Sequence, residues 1–169
     1  MTHIKDGTVH EGSMKMTILR RYRTLKQRDD YSCFALAACM ITGETMKQFR
    51  KFVGHDGSEP DPNESHPSKC KGFTDREVVS YLVDRGYALG TSPEWGIPIR
   101  FNGDPNEVIR IEIRMTEPAL LLVESEVLAG YFHVVFWDGE WVRDPNPKRP
   151  AKSRLGEYKV REWSQVVIL

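Results

Sequence analysis

The amino-acid sequence predicts an α+β fold, in which helices from the first half of the chain pack against a mostly antiparallel sheet from the second half. Before residue 86, apolar residues recur at helical spacing in three segments that each end at a glycine. After residue 86, they fall in short β-branched or aromatic stretches separated by Gly, Pro, Asn and Asp. Helices followed by strands are typical of α+β proteins rather than of alternating α/β folds.

Length and charge limit the classes of protein to consider. The 169 residues, 40% of them hydrophobic, suit one domain, which we place at residues 17–169, after a flexible N-terminal tail at 1–16. Lys and Arg balance Asp and Glu at 24 each, so no overall charge attracts nucleic acid or an anionic membrane. No apolar run approaches the ~20 residues of a membrane-spanning helix, and no secretory signal occurs. We therefore expect a soluble, cytoplasmic protein that binds neither nucleic acid nor membrane.

Three helices are predicted in the first half of the chain. The first is the apolar run FALAACMIT, which Asp29, Asp30 or Ser32 can cap and Gly43 ends, and it is expected to be buried on most faces. The second has apolar residues at helical spacing before Gly54, and the third begins with a capping box at Thr74. The predicted ranges are 34–42, 45–53 and 74–83.

The remaining segments are predicted to be extended or irregular. Residues 17–25 have an extended pattern, and residues 54–72 form a long loop rich in Gly, Pro and short polar residues. The predicted strands of the second half are 87–89, 97–101, 108–115, 119–123, 131–137, 140–143 and 158–160.

A hairpin in the second half brings a histidine and an aspartate together. In YFHVVFWDGEWVRD, Asp138 and Gly139 separate two strand-like runs as a two-residue turn would. Counting back from that turn places His133 directly opposite Asp144, on the same face of the sheet and about 5 Å apart at Cβ. A carboxylate on one ring nitrogen selects the tautomer and favours imidazolium, which leaves the other nitrogen for a nucleophile. Either residue alone is more often structural; the pair indicates a base with its orienting acid.

Cys33 immediately precedes the apolar helix. A thiol in the first turn of a helix, near an imidazolium, forms a thiolate at neutral pH and becomes a nucleophile. Cys39 lies in the middle of the same helix, where a cysteine acts as a small apolar core residue. Position along the helix therefore distinguishes Cys33 from Cys39.

These residues resemble the papain-like cysteine peptidases, particularly the branch that removes leader peptides from bacteriocins. The shared pattern is a glutamine, Gln27, six positions before Cys33 at the start of a buried helix, with His133 and then Asp144 before Pro145 near the end of the chain. The resemblance runs from residue 25 onward. It implies a triad of Cys33, His133 and Asp144, with Gln27 and the Cys33 backbone amide forming an oxyanion hole, and a peptide or protein as substrate.

The residue after the cysteine departs from this pattern, because these families usually have glycine where this chain has Phe34. The ring of Phe34 points either into the core or toward the substrate channel. An alternative function is therefore a catalytically idle papain-like domain that binds a protein partner, with Phe34 blocking the cleft. An acyl transferase using the same triad is a further alternative.

No cofactor or metal is expected. Several possible metal ligands lie in the long loop, but their spacings match no zinc motif. With three cysteines, two of them in one helix, a disulfide framework is not expected either. The loop residues in question are His55, Asp56, Asp61, His66 and Cys70.

Overall fold

The computed structural model of the chain describes residues 22–62, 68–90 and 116–169. Within these ranges the chain forms three α-helices and a five-stranded antiparallel sheet, which confirms the predicted α+β class. The elements are α1 Cys33–Thr42, α2 Met46–Val53, α3 Asp75–Asp84, β1 Tyr87–Gly90, β2 Ala119–Glu124, β3 Phe132–Trp137, β4 Val142–Arg143, a 3₁₀ helix Leu155–Glu157 and β5 Val160–Ile168.

Helix α1 lies inside the protein, as its composition predicts. All residues from Ala35 to Ile41 are buried, so the helix has no polar face. It ends at Gly43, whose left-handed backbone (φ 78°) lets its N–H bond the carbonyl of Cys39. The predicted start was one residue late, since Cys33 is itself the first helical residue.

Helices α2 and α3 begin at capping boxes. Thr45 and Gln48 exchange side-chain and backbone hydrogen bonds at the start of α2, and Thr74 and Glu77 do the same at α3. Phe49 of α2 is fully buried and meets the ring of Tyr81 edge to face, with centroids 4.8 Å apart. The two helices thus pack around aromatic side chains beside α1.

The sheet has the strand order β1-β5-β2-β3-β4, and every neighbouring pair is antiparallel. Along β2, Ala119, Leu121 and Val123 belong to one apolar cluster, whereas Leu120 belongs to the cluster formed with the helices. This alternation is the period of two expected for a strand buried on both faces. Helix α1 packs against β3, so the helix that begins with Cys33 lies against the strand that carries His133.

The prediction for the last strand was wrong. A strand was expected at 158–160, but Leu155–Glu157 forms a 3₁₀ helix and β5 extends from Val160 to Ile168. Strand β5 pairs with β1 on one side and β2 on the other, with an irregularity in register between Leu122 and Val123. Its sequence shows no clear apolar–polar alternation, because the polar pairs Arg161-Glu162 and Ser164-Gln165 interrupt the apolar residues.

Several predictions fall outside the described residues: the tail at 1–16, residues 17–21 of the extended segment, and the strands at 97–101 and 108–115. Residues 22–32 form no helix or strand. No helix in the described part of the chain combines the length and apolar character needed to cross a membrane.

Candidate active site

The sulfur of Cys33 lies at the amino end of α1. Cys33 is partly exposed and follows the buried Ser32, whose carbonyl accepts the Leu36 N–H at 2.9 Å. The side chain of Ser32 makes no capping hydrogen bond. The N–H groups of a first helical turn have no carbonyl partner within their helix, and they concentrate positive potential at this end. Negative charge on an oxyanion formed close to Cys33 is therefore stabilised by this end of the helix.

His133 joins this cysteine to a carboxylate. Its Nε2 lies 2.7 Å from Oδ1 of Asp144, and the Cys33 side chain is near enough to raise the pKa of the ring. Because Nε2 is occupied by Asp144, Nδ1 is the ring nitrogen that remains for the sulfur. The side chain of His133 is 16% exposed and that of Asp144 only 2%. The structure thus brings together all three residues that the sequence predicts as a triad.

Asp144 is held in its ionised form. Its Oδ1 accepts the backbone N–H of Asn146 at 2.7 Å besides His133, and its Oδ2 accepts the hydroxyl of Tyr158 at 2.9 Å. Burial opposes ionisation, but the hydrogen bonds and charge of His133, together with these two donors, hold the pKa of Asp144 below its ordinary value. A buried carboxylate with several donors remains charged at neutral pH.

The same contacts keep His133 protonated. Burial by itself lowers the pKa of an imidazole, yet Asp144 and Cys33 raise that of His133 to about 9. At neutral pH the ring is therefore an imidazolium next to the sulfur.

The hairpin that delivers Asp144 differs from the predicted one. Phe136 pairs with Arg143 and Trp137 with Val142, so the two-residue turn is Gly139–Glu140 rather than Asp138–Gly139. Gly139 has a φ of 96°, at the first turn position where glycine is favoured. The carboxylate of Asp138 accepts the N–H groups of Glu140 and Trp141, which favours this later turn.

Because the turn forms one residue later than predicted, each residue of β3 pairs with a residue two positions further along β4 than predicted. Continuing the observed register places Asp144 opposite Val135, so His133 and Asp144 are diagonal neighbours and not a direct pair as predicted. A shift of two leaves every side chain on the face it was predicted to occupy. Diagonal Cβ atoms are about 7–8 Å apart, a span that long side chains bridge. The predicted contact therefore forms despite the different register.

Gln27 lies in the wall of the same cavity as Cys33. Its backbone N–H donates to the carbonyl of Pro145 at 2.8 Å, and its side-chain Nε2 donates to the carbonyl of Asp29. The side-chain Oε1 is buried without a hydrogen-bond partner among the described residues. An amide nitrogen carries two hydrogens, so a second donor remains at Nε2 for an oxyanion.

Phe34 lies outside the cleft. Its ring packs, partly buried, against the cluster formed by α1 and the neighbouring helices, and Phe34 is absent from the residues that line the cavity around Cys33. Of the two predicted directions, the ring takes the one into the core. The feature that suggested a blocked cleft therefore does not obstruct it.

The cavity around the triad has a volume of about 390 Å³. The cavity is lined by the charged segment that leads into α1, by the connection between β2 and β3 with the exposed side chains Val127 and Tyr131, and by the exposed Phe132 at the start of β3. The floor contains Cys33 and His133. This volume lies within the range of about 300–1,000 Å³ that is usual for ligand-binding clefts.

Three contributors to the site were missed by sequence reasoning. Tyr158 bonds the carboxyl of Asp144, Asn146 bonds it through its backbone, and Lys26 bonds the backbone carbonyl of Asp144. None belongs to a motif. Their roles depend on the path of the loop after β4, which no local pattern indicates.

The possible metal ligands of the long loop at residues 54–72 form no metal-binding group among the described residues. Within residues 22–62, 68–90 and 116–169, no three His, Cys, Asp or Glu side chains form a group suited to a metal. Nε2 of His55 instead bonds the carboxylate of Glu77 at 2.8 Å, and Cys70 is a free thiol. His66 lies outside the described residues.

Comparison with models of known protein families finds no match to this chain, and a search of curated proteins finds no match either.

Proposed function

We propose that the chain is a papain-like cysteine peptidase, which cleaves a peptide or related amide bond with Cys33 as nucleophile. One observation carries the proposal: Cys33, at the start of a buried helix, lines the same cavity as His133, whose Nε2 lies 2.7 Å from the buried carboxylate of Asp144. A nucleophile, a base and an orienting acid in a chain of hydrogen bonds beside an open cleft are what acyl transfer requires.

The reaction begins from the Cys33 thiolate and the His133 imidazolium. The sulfur attacks the carbonyl carbon of the substrate, and the negative charge moves to the carbonyl oxygen. Donors at this point are the backbone N–H of Cys33 and the second hydrogen on Nε2 of Gln27. As the intermediate collapses, His133 gives its proton to the leaving amine, and an acyl-thioester remains on Cys33.

Water completes the cycle. His133, now neutral, takes a proton from the water as it attacks the thioester, and the released acid leaves the thiolate and the imidazolium restored. Asp144 keeps the ring oriented with Nδ1 toward the sulfur and compensates its charge throughout. This chemistry uses only groups on the protein.

The experiment has two arms. The first is labelling with iodoacetamide at about pH 6, where an ordinary thiol is almost entirely protonated. We expect rapid modification at Cys33, and a loss of that selectivity in His133→Ala. Cys39 should not react, since burial raises its pKa to about 12. Slow, equal labelling of Cys33, Cys39 and Cys70 would contradict an activated nucleophile.

The second arm tests catalysis directly. The protein is incubated with a mixed peptide library, and new termini are identified by mass spectrometry. We expect cleavage by the unmodified protein and none by Cys33→Ala. A reactive Cys33 without any cleavage, or a change in the library that persists in Cys33→Ala, would count against a peptidase.

A further inference from the structure

The ammonium of Lys26 lies in a ring of backbone oxygens beside the candidate site. All four acceptors belong to the loop that follows β4. Because an ammonium has three hydrogens, at least two of these oxygens share one. The contacts are to the carbonyls of Asp144 at 2.9 Å, Asn146 at 2.9 Å, Arg149 at 2.8 Å and Pro150 at 3.2 Å.

Neighbours of Lys26 hold the same loop. The backbone N–H of Gln27 donates to the carbonyl of Pro145 at 2.8 Å, and the hydroxyl of Thr24 donates to the carbonyl of Ala151. Residues 24–27 therefore lie along residues 144–151. Their hydrogen bonds reach the start, the middle and the end of that loop. The loop that begins with Asp144 is fixed by the segment that leads to Gln27 and Cys33.

The ammonium is also electrostatically linked to the site. Partial burial lowers the pKa of Lys26, and the negative charge of Asp144 raises it. Such a coupling is reciprocal, so the charged Lys26 favours the ionised carboxylate of Asp144.

We propose that Lys26 is a positioning residue of the candidate active site, whose ammonium gathers the carbonyls of residues 144–150 and thereby fixes Asp144 against His133. The inference rests on the proposed function in so far as it assigns a catalytic role to that pair. Lys26 touches neither the sulfur nor the imidazole in this assignment. It acts on the loop that carries the acid.

The test compares Lys26→Met with Lys71→Met. Methionine keeps the length of the side chain and removes the donors, and the control removes an ammonium that pairs with Glu59 at 2.7 Å on the surface. We expect Lys26→Met to lower the rate of Cys33 alkylation at about pH 6 by roughly tenfold or more, since small displacements in a catalytic group have effects of this size. Lys71→Met should react like the unmodified protein.

The titration of the His133 ring, followed by NMR, separates positioning from simple charge removal. Loss of a nearby positive charge would by itself raise the midpoint of His133. Displacement of the Asp144 carboxylate would lower it. We expect the midpoint of His133 to be lower in Lys26→Met and unchanged in Lys71→Met. If folded Lys26→Met has an unchanged or higher midpoint and an unchanged rate of Cys33 alkylation, the proposal is overturned.

A second variant covers the case in which Lys26→Met does not fold. By reciprocity, Asp144→Asn should lower the titration midpoint of Lys26, and an unchanged midpoint would overturn the coupling. Failure of the peptidase proposal is separate from these results. If the chain cleaves no peptide, Lys26→Met can still lower the titration midpoint of His133, and the role of Lys26 stands. If the Lys26→Met variant cleaves peptides as fast as the unmodified protein and leaves the midpoint of His133 unshifted, only the role of Lys26 is refuted.

Discussion

The hydroxyl of Tyr158 donates a 2.9 Å hydrogen bond to Oδ2 of Asp144, the carboxyl oxygen that His133 does not contact. Tyr158 follows the 3₁₀ helix, and its side chain packs against the apolar cluster on the β2 and β3 strands. The carboxylate is thus bonded from one side by the base and from the other by a phenol. Each partner holds it in the ionised form.

Tyr158→Phe is expected to destabilise the protein by about 1.5–3 kcal/mol at neutral pH, the usual contribution of a hydrogen bond to a charged group. The pKa of Asp144 is lower in the folded protein than its ordinary value of about 3.9. The contribution is therefore complete above about pH 4 and is lost as the pH falls through the folded pKa. Urea unfolding of both proteins across this range measures it. A difference that stays constant with pH would show that the hydroxyl does not act on the carboxylate.

His133 should titrate with a midpoint of about 9, because Asp144 and Cys33 outweigh the effect of burial on its pKa. In Asp144→Asn the amide can keep a hydrogen bond but carries no charge, so the midpoint should fall toward the ordinary value of about 6.5. NMR of the ring protons follows both titrations. Glu77→Gln is the matched control, since it removes the carboxylate from the other histidine pair, His55 and Glu77. An equal shift of His133 in that control would indicate a global effect.

Phe34→Ala should cost stability without changing the site. The ring is partly buried against the core, so we expect a loss of roughly 1–3 kcal/mol, less than for a fully buried phenylalanine. Cys33 should be alkylated at the rate of the unmodified protein. If the alanine variant instead reacted much faster, the ring would have to be placed over the cleft.

Gly139→Ala should destabilise the hairpin between β3 and β4. A Cβ there would lie 2.6 Å from the backbone oxygen of Thr116, at a φ of 96°. Gly43 is the control, because its φ is also positive at 78° but nothing lies within 4 Å of an added Cβ. We expect about 1 kcal/mol for Gly43→Ala and roughly 2–4 kcal/mol for Gly139→Ala. If thermal or urea unfolding showed the same loss of stability in both variants, the backbone at Thr116 would move away from the added Cβ without a loss of stability.

Local patterns predicted the helices well, because a helix start depends on residues within one turn. The capping box at Thr74 places the start of α3, and Gly43 and Gly54 mark the ends of α1 and α2. The start of α1 at Cys33 was the exception. Ser32 was among the predicted caps and occupies the N-cap position, but the prediction left Cys33 outside the helix.

Non-local structure was predicted less well. The contact of His133 with Asp144 was predicted from a turn that forms one residue later, and it survived because a shift of two preserves the face of every side chain. Strand β5 was missed because two pairs of polar residues interrupt its apolar pattern, and its partners β1 and β2 lie far away in sequence. Lys26 bonds residues more than a hundred positions later, and such contacts leave no local pattern.

The place of β5 in the sheet has a consequence for the order of events during synthesis. It is made after every other described strand, yet it lies between β1 and β2. Until it emerges from the ribosome, β1 has no partner among the described strands, and β2 has one unpaired edge. Domains rich in such distant pairings fold slowly, because loop closure precedes any gain from contact. A nascent chain that already contains Cys33 and His133 therefore still lacks the strand that joins β1 to β2, and the sheet is completed only when residues 160–168 have been made.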